Sequence, residues 1–446
     1  METILLEKRI PVKYDTELII AGGGPAGIAA GITAARKGIN VIILEGEWAL
    51  GGAGTVGMVP AFMQFGDGVN LLSAGIGFEI YERLKEAGGT GQYLKMGINT
   101  EVLKRVYEEM TLKAGASFVY GSKIIGVKRE HNNITHIIVA SKSGIYAAKA
   151  KVFIDCTGDG DLCSMADVPF EVGGDNNEMM PGTLCSFWTD IDWNKYKDGH
   201  NGAPQDAYLE QAFKENIFKV HDYHLAGFTQ TAPTSGGGNI GHAFGVDPLN
   251  EESLTKAFVE QRKRLLEYQE YYRKYICGCE RMELGATGSV MGVRESRRIR
   301  GDYQLNIQDF KNRAVFEDEI GRYCYPVDIH ASTPDVEGFK QFEREFKKEF
   351  RYEKGESYGI PYRILTPVGL DNTLMAGRCI SCDRYMMGSI RVMPGCYITG
   401  QAAGMAAAMA VRENLKTRAI DIGKLQGNLV DIGAYLPNYA APMSVS

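Results

Sequence analysis

Two arginines, a glutamate and a histidine stand in segments of this 446-residue chain that could carry out chemistry. Arg391 lies in GSIRVMPG, and Arg294 and Glu295 lie in GVRESRR. A guanidinium can hold a carboxylate or a developing oxyanion through paired hydrogen bonds. His242, in GGNIGHAFG, is a candidate general acid or base because imidazole titrates near neutral pH. We predict all four as catalytic. The structural alternatives are a salt bridge for Arg391, an ion-pair network for the GVRESRR segment, and a surface or core position for His242.

Two cysteine pairs offer a different chemistry. Cys379 and Cys382 form a C-x-x-C, and Cys277 and Cys279 form a C-x-C. Such pairs can bind a metal or exchange a disulfide. Neither spacing recurs as two neighbouring C-x-x-C motifs, so we predict no metal site. Redox activity of Cys379 and Cys382 stays an open alternative.

The elements that must position a ligand begin near the N-terminus. An apolar run at 18–21 suits a buried parallel strand, a glycine-rich turn occupies 22–27, and 28–36 is a small-residue helix. A second apolar strand, 40–44, ends in Glu45. This order of strand, turn, helix and strand is the context that a dinucleotide-binding turn requires.

Each residue of that turn has a physical task. Gly22, Gly24 and Gly27 have the G-x-G-x-x-G spacing. The first glycine allows the tight turn, the second lets a pyrophosphate approach the backbone, and the third allows close packing of the helix. The anion would lie at the helix N-terminus, and Glu45 would accept hydrogen bonds from a ribose hydroxyl.

The same glycine spacing occurs a second time, at Gly236, Gly238 and Gly241. This copy lies between Pro233 and Pro248 and lacks a strand before it and a helix after it. We therefore predict a mobile loop there rather than a second dinucleotide site.

Two downstream segments add further close approaches to a cofactor. The stretch GEWALGGAGTVGMVPAF follows Glu45 directly and is a second glycine loop, where an NAD-binding domain would usually continue into a helix. The stretch KVFIDCTGDGD, at 151–161, is an apolar strand that runs into a glycine turn.

With these motifs, the chain resembles the FAD-dependent oxidoreductases of the glutathione-reductase-type flavin fold. Within that group it resembles the flavoproteins of fumarate reductase and heterodisulfide reductase. The resemblance covers most of the chain through GGGPAG with Glu45, LGGAGTVGMV at 50–59, IDCTGDGD at 154–161, GVRESRRIRGDYQL at 292–305 and the run at 361–408.

The resemblance implies FAD as the cofactor and a set of residues that contact it. The first turn and Glu45 would hold the pyrophosphate and the adenosine ribose, the second glycine loop would run beneath the flavin, and the start of the last helix would face its pyrimidine end. The implied residues are Gly22, Gly24, Pro25, Ala26, Gly27, Glu45, Gly46, Gly51, Gly52, Ala53, Thr55, Ile124, Thr157, Gly158, Asp159, Gly377, Arg378, Met393, Gly395 and Cys396.

The predicted fold class is α/β, with a discontinuous Rossmann-like FAD-binding domain and an inserted α+β substrate-capping domain. We place the first part of the FAD-binding domain at 1–165, the cap at 166–354 and the second part at 355–446. In the cap, 253–276 has the apolar spacing of a long helix, and its aromatic stripe is typical of core packing.

The resemblance implies an FAD-dependent oxidoreductase that transfers a hydride between flavin N5 and a small polar or anionic metabolite. One alternative is a reductase of an activated C=C bond, like fumarate reductase. Another is a flavoprotein subunit that needs a partner for electron transfer. The electron donor or acceptor and a homo-oligomeric state are left open.

Composition narrows the remaining classes. The net charge is −6 and no long block of like charge occurs, which argues against nucleic-acid binding. The nine cysteines lack the dense spacing of secreted scaffolds, and no apolar run has the length of a signal peptide or a membrane span. We predict a cytoplasmic protein. Glycine is in excess, at 54 of 446 residues, or about 12%, against an average share of about 7%. This excess is expected if the backbone makes room for a cofactor.

Overall fold

The computed structural model describes residues 2–5, 7–91, 96–174, 178–198, 206–225 and 227–439. Its strands are β1 (Val12–Ala21), β2 (Val41–Leu44), β3 (Ser117–Val119), β4 (Ser122–Glu130), β5 (Asn133–Ser141), β6 (Gly144–Asp155), β7 (Phe170–Val172), β8 (Ser186–Thr189), β9 (Phe228–Ala232), β10 (Ser235–Gly238), β11 (Glu283–Thr287), β12 (Arg297–Ile299), β13 (Glu319–Tyr323), β14 (Tyr358–Pro361) and β15 (Thr373–Met375).

The helices are α1 (Pro25–Arg36), α2 (Ile76–Glu86), α3 (Thr100–Lys113), α4 (Asp161–Met165), α5 (Trp193–Asp198), α6 (Leu209–Lys214), α7 (Glu251–Tyr275), α8 (Ile307–Lys311), α9 (Val336–Arg344), α10 (Arg384–Ile390), α11 (Met393–Glu413) and α12 (Ile422–Asp431). None of the helices found in the described residues combines the length and the apolar character that a membrane crossing needs.

The main sheet has the order β3-β2-β1-β6-β5-β4, and β15 also pairs with β6. Strands β3, β2, β1, β6 and β15 run parallel, whereas β5 pairs antiparallel with β6 and β4 pairs antiparallel with β5. Strand β1 has β2 on one side and β6 on the other, so the order of the strands reverses at β1. A crevice therefore forms at the carboxyl ends of these strands, where parallel sheets bind ligands.

The predicted strand, helix and strand at the N-terminus are confirmed. All four residues of β2 and the last four of β1 are buried, which explains their continuous apolar runs. Helix α1 is buried along most of its length and packs against α11. A Cβ at Gly400 of α11 would overlap the carbonyl oxygen of Ala26, and one at Gly404 would overlap that of Ala30. Glycine thus lets the two helix backbones touch.

A separate antiparallel sheet, in the order β11-β8-β10-β9, lies in the predicted cap. The long cap helix is confirmed as α7, capped by the side chain of Asn250, which accepts a hydrogen bond from Ser253 N at 2.8 Å. Its aromatic residues Tyr268, Tyr271 and Tyr272 are buried in the hydrophobic core of the cap, as the pattern predicts. The predicted fold class is therefore confirmed.

The prediction of a mobile loop at the second glycine motif was wrong. Gly236 to Gly238 lie in β10, between β8 and β9. A Cβ at Gly237 would overlap Pro60, and a Cβ at Gly238 would lie 2.9 Å from the indole nitrogen of Trp188. These glycines allow close packing inside a sheet, which the sequence spacing alone does not reveal.

The domain limits stay a prediction, and core membership bears on them. The cap has its own hydrophobic cluster, which extends from Leu184 to Val293. Leu305, Phe310 and Ile320 already belong to the cluster that contains α1 and α11. We therefore propose that the chain returns to the FAD-binding domain near residue 305, earlier than the predicted limit at 354.

The contact between α1 and α11 should make Gly404 intolerant of a side chain. Gly404→Ala should lower the free energy of unfolding by about 1–3 kcal/mol, because overpacking outweighs the better helix propensity of alanine. Gly423→Ala is the matched control in α12, since its nearest contact would be Asp421 Oδ1 at 3.4 Å. Urea unfolding of the two variants checks this. Equal stability of Gly404→Ala and the unaltered protein would contradict the packing.

Candidate cofactor and substrate site

The turn after β1 combines two crowded glycines with an open one. Gly22 has φ of +91° and its N–H donates to Leu44 O at 2.8 Å, so it needs the left-handed freedom of glycine. A Cβ there would lie 2.5 Å from Cys156 O, and one at Gly27 would overlap Gly22 O. At Gly24, by contrast, an added Cβ would meet no protein atom within 4 Å.

That open space lies at the N-terminus of α1. Gly24 is the N-cap residue, Pro25 follows it in the first turn, and no side chain caps the helix. Free N–H groups and the helix dipole favour an anion at such a position. The turn therefore has the room and the donors that a pyrophosphate requires.

Glu45 is fixed beside this turn. It is 8% exposed, its Oε2 accepts from Gly23 N at 2.6 Å, and its Oε1 accepts from Glu47 N at 2.8 Å. Burial raises the pKa of Glu45, while the backbone hydrogen bonds oppose the rise. Each carboxylate oxygen retains capacity for a second donor, as ribose recognition requires.

The second glycine loop lies against the first. Gly52 is close enough to Gly24 that its Cβ would lie 3.5 Å from Gly24 Cα. Gly51 N donates to Gly23 O at 2.8 Å, and the buried Thr55 Oγ1 donates to Leu50 O at 2.7 Å. Ala53 is exposed between them. The loop thus borders the open space at the N-terminus of α1.

The turn after β6 closes another side. Asp159 Oδ1 accepts from Arg378 Nη2 at 2.7 Å and from Ser296 Oγ at 2.5 Å. A Cβ at Gly158 would contact the same guanidinium, at 3.0 Å. Two predicted cofactor residues, Asp159 and Arg378, are thus paired with each other. Thr157 Oγ1 donates to Asp155 Oδ1 at 2.8 Å and orders the turn.

Gly377 and the start of α11 also border the open space at the N-terminus of α1. Gly377 N donates to Thr399 Oγ1 at 3.1 Å, and a Cβ on Gly377 would lie 3.0 Å from Ala26 Cβ. Helix α11 begins at Met393, and its N-cap Val392 makes no side-chain cap. Its first turn, which includes Gly395 and Cys396, is therefore available to the electron-rich end of a bound ring.

Two predicted adenine-side residues are less closely defined. Gly46 packs against the side chain of Lys123, because a Cβ added at Gly46 would lie 3.4 Å from Lys123 Cγ. Strand β4 begins with a hydrogen bond from Ser122 N to Glu45 O at 2.9 Å. This places Ile124 two residues from the strand end that adjoins Glu45. Its contact with adenine stays a prediction.

Together, these loops form a dinucleotide cradle at the carboxyl edge of a parallel sheet, and they fit FAD. The class is that of flavin-binding α/β oxidoreductases. Residues 17–429 match the model of the family described as FAD dependent oxidoreductase. The chain belongs to this family, and its cofactor is FAD.

Comparison with curated protein sequences gives no match. Solved structures give distant likenesses. A geranylgeranyl bacteriochlorophyll reductase-like protein from Thermoplasma acidophilum is 11% identical, with a TM-score of 0.43, over 97% of this chain and 94% of that chain. The p-nitrophenol 4-monooxygenase of Pseudomonas putida is 12% identical, with a TM-score of 0.46, over 94% and 84%. The L-proline dehydrogenase of P. horikoshii is 12% identical, with a TM-score of 0.42, over 96% and 100%.

A chain of charged and imidazole groups lies where the cap meets the FAD-binding domain. His242 Nδ1 lies 3.2 Å from Asp222 Oδ1, and His242 Nε2 lies 2.9 Å from His330 Nδ1. His330 Nε2 lies 3.1 Å from Asp328 Oδ1. Asp328 in turn accepts from Arg391 Nη2, through its Oδ2 at 3.0 Å and its backbone oxygen at 2.8 Å. His242 and Arg391, two predicted catalytic residues, are thus linked.

His242 is buried rather than on a mobile segment. Its backbone N–H donates to Asp222 Oδ2 at 3.0 Å, and its carbonyl accepts from Gln261 Nε2 at 3.1 Å. Burial lowers the pKa of His242, although Asp222 opposes the shift. Of the alternatives for this residue, the structure favours the core position.

Arg294 is anchored through only one of its guanidinium nitrogens. Its Nη1 donates to Pro181 O at 2.6 Å and to Thr183 Oγ1 at 3.0 Å. Among the described residues, its Nε and Nη2 have no hydrogen-bond partner. Burial, together with the nearby Arg391, lowers the pKa of Arg294 to about 10. The group therefore stays charged near neutral pH, and no carboxylate in the described part of the chain forms a hydrogen bond with it.

The carboxylate of Glu295 is held by ion pairs and by a backbone hydrogen bond. Its side chain is 0% exposed and accepts from Arg384 Nη2 at 3.1 Å and from Met180 N at 2.5 Å. Arg298 lies 3.6 Å away. The structure thus favours the ion-pair alternative for Glu295, and these contacts join the cap to α10.

The cysteine pair at 379 and 382 is not bonded. All nine cysteines are free, and both members of the C-x-x-C are buried. Burial raises the pKa of the Cys379 and Cys382 thiols. Little thiolate would be present near neutral pH, which disfavours disulfide exchange.

Sequence reasoning missed His224, His330, Asp222 and Asp328. The signal was present as a repeated D-x-H, in Asp222 to His224 and in Asp328 to His330. Each aspartate lies two residues before a histidine, but the two copies are more than one hundred residues apart. Only the fold brings them together.

Gly24 and Gly22 should respond to alanine in opposite ways. Gly24→Ala should leave the stability of the apoprotein unchanged, since its Cβ meets only open space, but should weaken FAD binding at least about tenfold because the pyrophosphate can no longer approach. Gly22→Ala should destabilise the fold itself. Thermal unfolding of the apoproteins and FAD titration by fluorescence quenching separate the two effects. Unchanged FAD affinity in Gly24→Ala would contradict the assignment.

Glu295→Gln should unfold more easily than the unaltered protein. Removing this buried charge leaves Arg384 and Arg298 with only their ion pairs to the more exposed Glu178 and Glu171, at a cost of about 3–5 kcal/mol. Glu171→Gln is the control, because Glu171 pairs with Arg298 and Arg300 at a side chain that is 37% exposed, and should cost less than about 1 kcal/mol. Denaturant unfolding measures both. A stable but inactive Glu295→Gln would instead support the predicted catalytic role.

Proposed function

We propose that the protein transfers a hydride between flavin N5 and a small anionic metabolite that binds at Arg294. The observation that carries this proposal is the unused hydrogen-bonding capacity of Arg294, half-buried at the junction between the cap and the FAD-binding domain. Bound FAD would supply the acceptor or donor of the hydride. The side chains of the chain bind and orient the substrate.

The geometry of Arg294 suits this task. One nitrogen is anchored by the backbone of Pro181 and the hydroxyl of Thr183. The guanidinium plane is therefore fixed, while Nε and Nη2 lie on one side and can donate in parallel to a carboxylate. Fixing the donor before binding lowers the entropic cost of holding the substrate.

Arg391 contributes to this site in a different way. It is 7% exposed at its side chain and bonded to Asp328, so it has little capacity for a direct contact with substrate. Its backbone oxygen accepts from Cys396 Sγ at 3.0 Å, in the first turn of α11. We propose that Arg391 positions α11 relative to the cap and adds positive potential near Arg294.

The same anion-binding site would serve the alternative, reduction of an activated C=C bond in an unsaturated carboxylate. The resemblance to fumarate reductase flavoproteins supports this direction. The two directions differ in the redox state of the flavin that reacts, so one set of anaerobic experiments distinguishes them. The oxidised protein is mixed with saturated carboxylates, 2-hydroxy acids and 2-amino acids, and the reduced protein is mixed with unsaturated carboxylates.

Arg294→Lys should retain FAD and lose activity towards the anionic substrate. A charged hydrogen bond is worth about 1.5–3 kcal/mol, so kcat/KM should fall about ten- to hundredfold. Arg300→Lys is the matched control on the same segment, since Arg300 is exposed and paired with Glu171. Anaerobic stopped-flow absorbance of the flavin, with each carboxylate that changes its redox state, gives the rates.

Equal rates for Arg294→Lys and Arg300→Lys would remove Arg294 from substrate binding. No redox response of the isolated flavoprotein to any of these compounds would favour a subunit that depends on a partner.

A further inference from the structure

Three histidines from separate parts of the chain meet at the cap junction. His224 precedes β9, His242 follows β10, and His330 follows β13. One ring nitrogen from each lies within 4.8 Å of the others. Rings of His224 and His242 stack at 5.0 Å between centroids, and His330 lies edge-on to both. Such convergence from three segments is how protein metal sites are built.

In two of the rings, the nitrogen that faces away from the other ring lies beside a carboxylate, which determines whether that outer nitrogen carries a proton. A carboxylate only accepts, so Asp222 requires an N–H at His242 Nδ1 and Asp328 requires one at His330 Nε2. In the neutral rings, the inner nitrogens then both carry lone pairs. These nitrogens, His242 Nε2 and His330 Nδ1, face each other at 2.9 Å. Two lone pairs cannot form a hydrogen bond, so something positive must lie between them.

A shared proton or a metal ion would satisfy both nitrogens. A ring nitrogen of His224 lies within 4.8 Å of the same pair, and a metal ion would use this third donor whereas a shared proton would not. Neutral imidazole is the form that binds metals. Two nitrogens on one Zn²⁺ lie about 3.3 Å apart at the usual bond length and tetrahedral angle, so a separation a few tenths of an ångström wider than the present one suffices.

The surroundings fit a metal ion as well. The rings line a cavity of about 20 Å³, enough for one water-sized occupant. Phe244, Phe339 and Phe342 form its apolar wall. Asp222 also accepts from the backbone N–H groups of His224 and His242. Carboxylates that orient histidine ligands are the usual outer layer of a metal site.

We propose that His224, His242 and His330 bind one divalent transition-metal ion of the Zn²⁺ class, with Asp222 and Asp328 orienting the ligands. Three imidazoles leave a fourth position open. In this site His242 serves as a ligand rather than as a general acid or base. The proposal is independent of the substrate proposal, because metal content is measured without turnover.

The test uses the FAD-bound full chain, stripped with a chelator and dialysed against Zn²⁺ or Co²⁺. Mass spectrometry of the elements should find about one metal ion per chain, and Co²⁺ should give the visible absorption of a four-coordinate, nitrogen-rich site. His224→Gln and His330→Gln should each lower the affinity for the metal at least about a hundredfold, and Asp222→Asn should lower it about ten- to hundredfold.

His221→Gln is the matched control, since the exposed His221 stacks on Phe213 away from the cluster, and should bind metal like the unaltered protein. Failure of the unaltered chain to take up either ion would overturn the proposal and leave the shared proton. Stoichiometric metal that persists in both histidine variants would also overturn it. If a variant fails to fold, the Co²⁺ spectrum of the unaltered protein decides the question, since a spectrum without imidazole nitrogen donors contradicts the site.

Discussion

The close contact between the backbones of α1 and α11 is the constraint on which the rest of the structure depends. Gly400 and Gly404 meet the carbonyl oxygens of Ala26 and Ala30 with no space for a side chain. These helices come from the two ends of the chain. Their contact brings the N-terminus of α11 beside the turn after β1, so that cofactor loops separated by several hundred residues border one space.

The cap is held to this frame by buried charge. Glu295 joins Arg384 and Arg298, and Ser296 joins the pair of Asp159 and Arg378. Ion pairs of this kind contribute little net stability, but breaking one is costly. Their effect is therefore to fix the cap in one position over the crevice. Arg294 belongs to the same segment, which explains how one nitrogen is anchored while the others stay available.

The sequence was sufficient for the elements around the first glycine turn because their signals are local. Gly22 to Gly27 and Glu45 lie within one strand, helix and strand unit, and the predicted limits of α7 differ from the observed limits by two residues at most. The second glycine motif misled us because Gly236 to Gly238 avoid clashes with Trp193, Pro60 and Trp188. Those neighbours are distant along the chain, and spacing does not encode them.

The polar cluster was beyond prediction for the same reason. Asp222 meets His242 only once the cap has folded, and His242 meets His330 only once the cap has packed onto the FAD-binding domain. The predicted catalytic role of Arg391 stays a prediction, and its partner Asp328 lies 63 positions away along the chain. The ion pair with Asp328 decides what Arg391 can do, and that pair is a property of the fold.

A crystal structure of the FAD complex with a small carboxylate tests the central claim most directly. We predict the pyrophosphate at the N-terminus of α1 beside Gly24, and the carboxylate bonded to Nε and Nη2 of Arg294 within hydride-transfer distance of flavin N5. A carboxylate bound away from Arg294 while the flavin occupies the cradle would contradict the account.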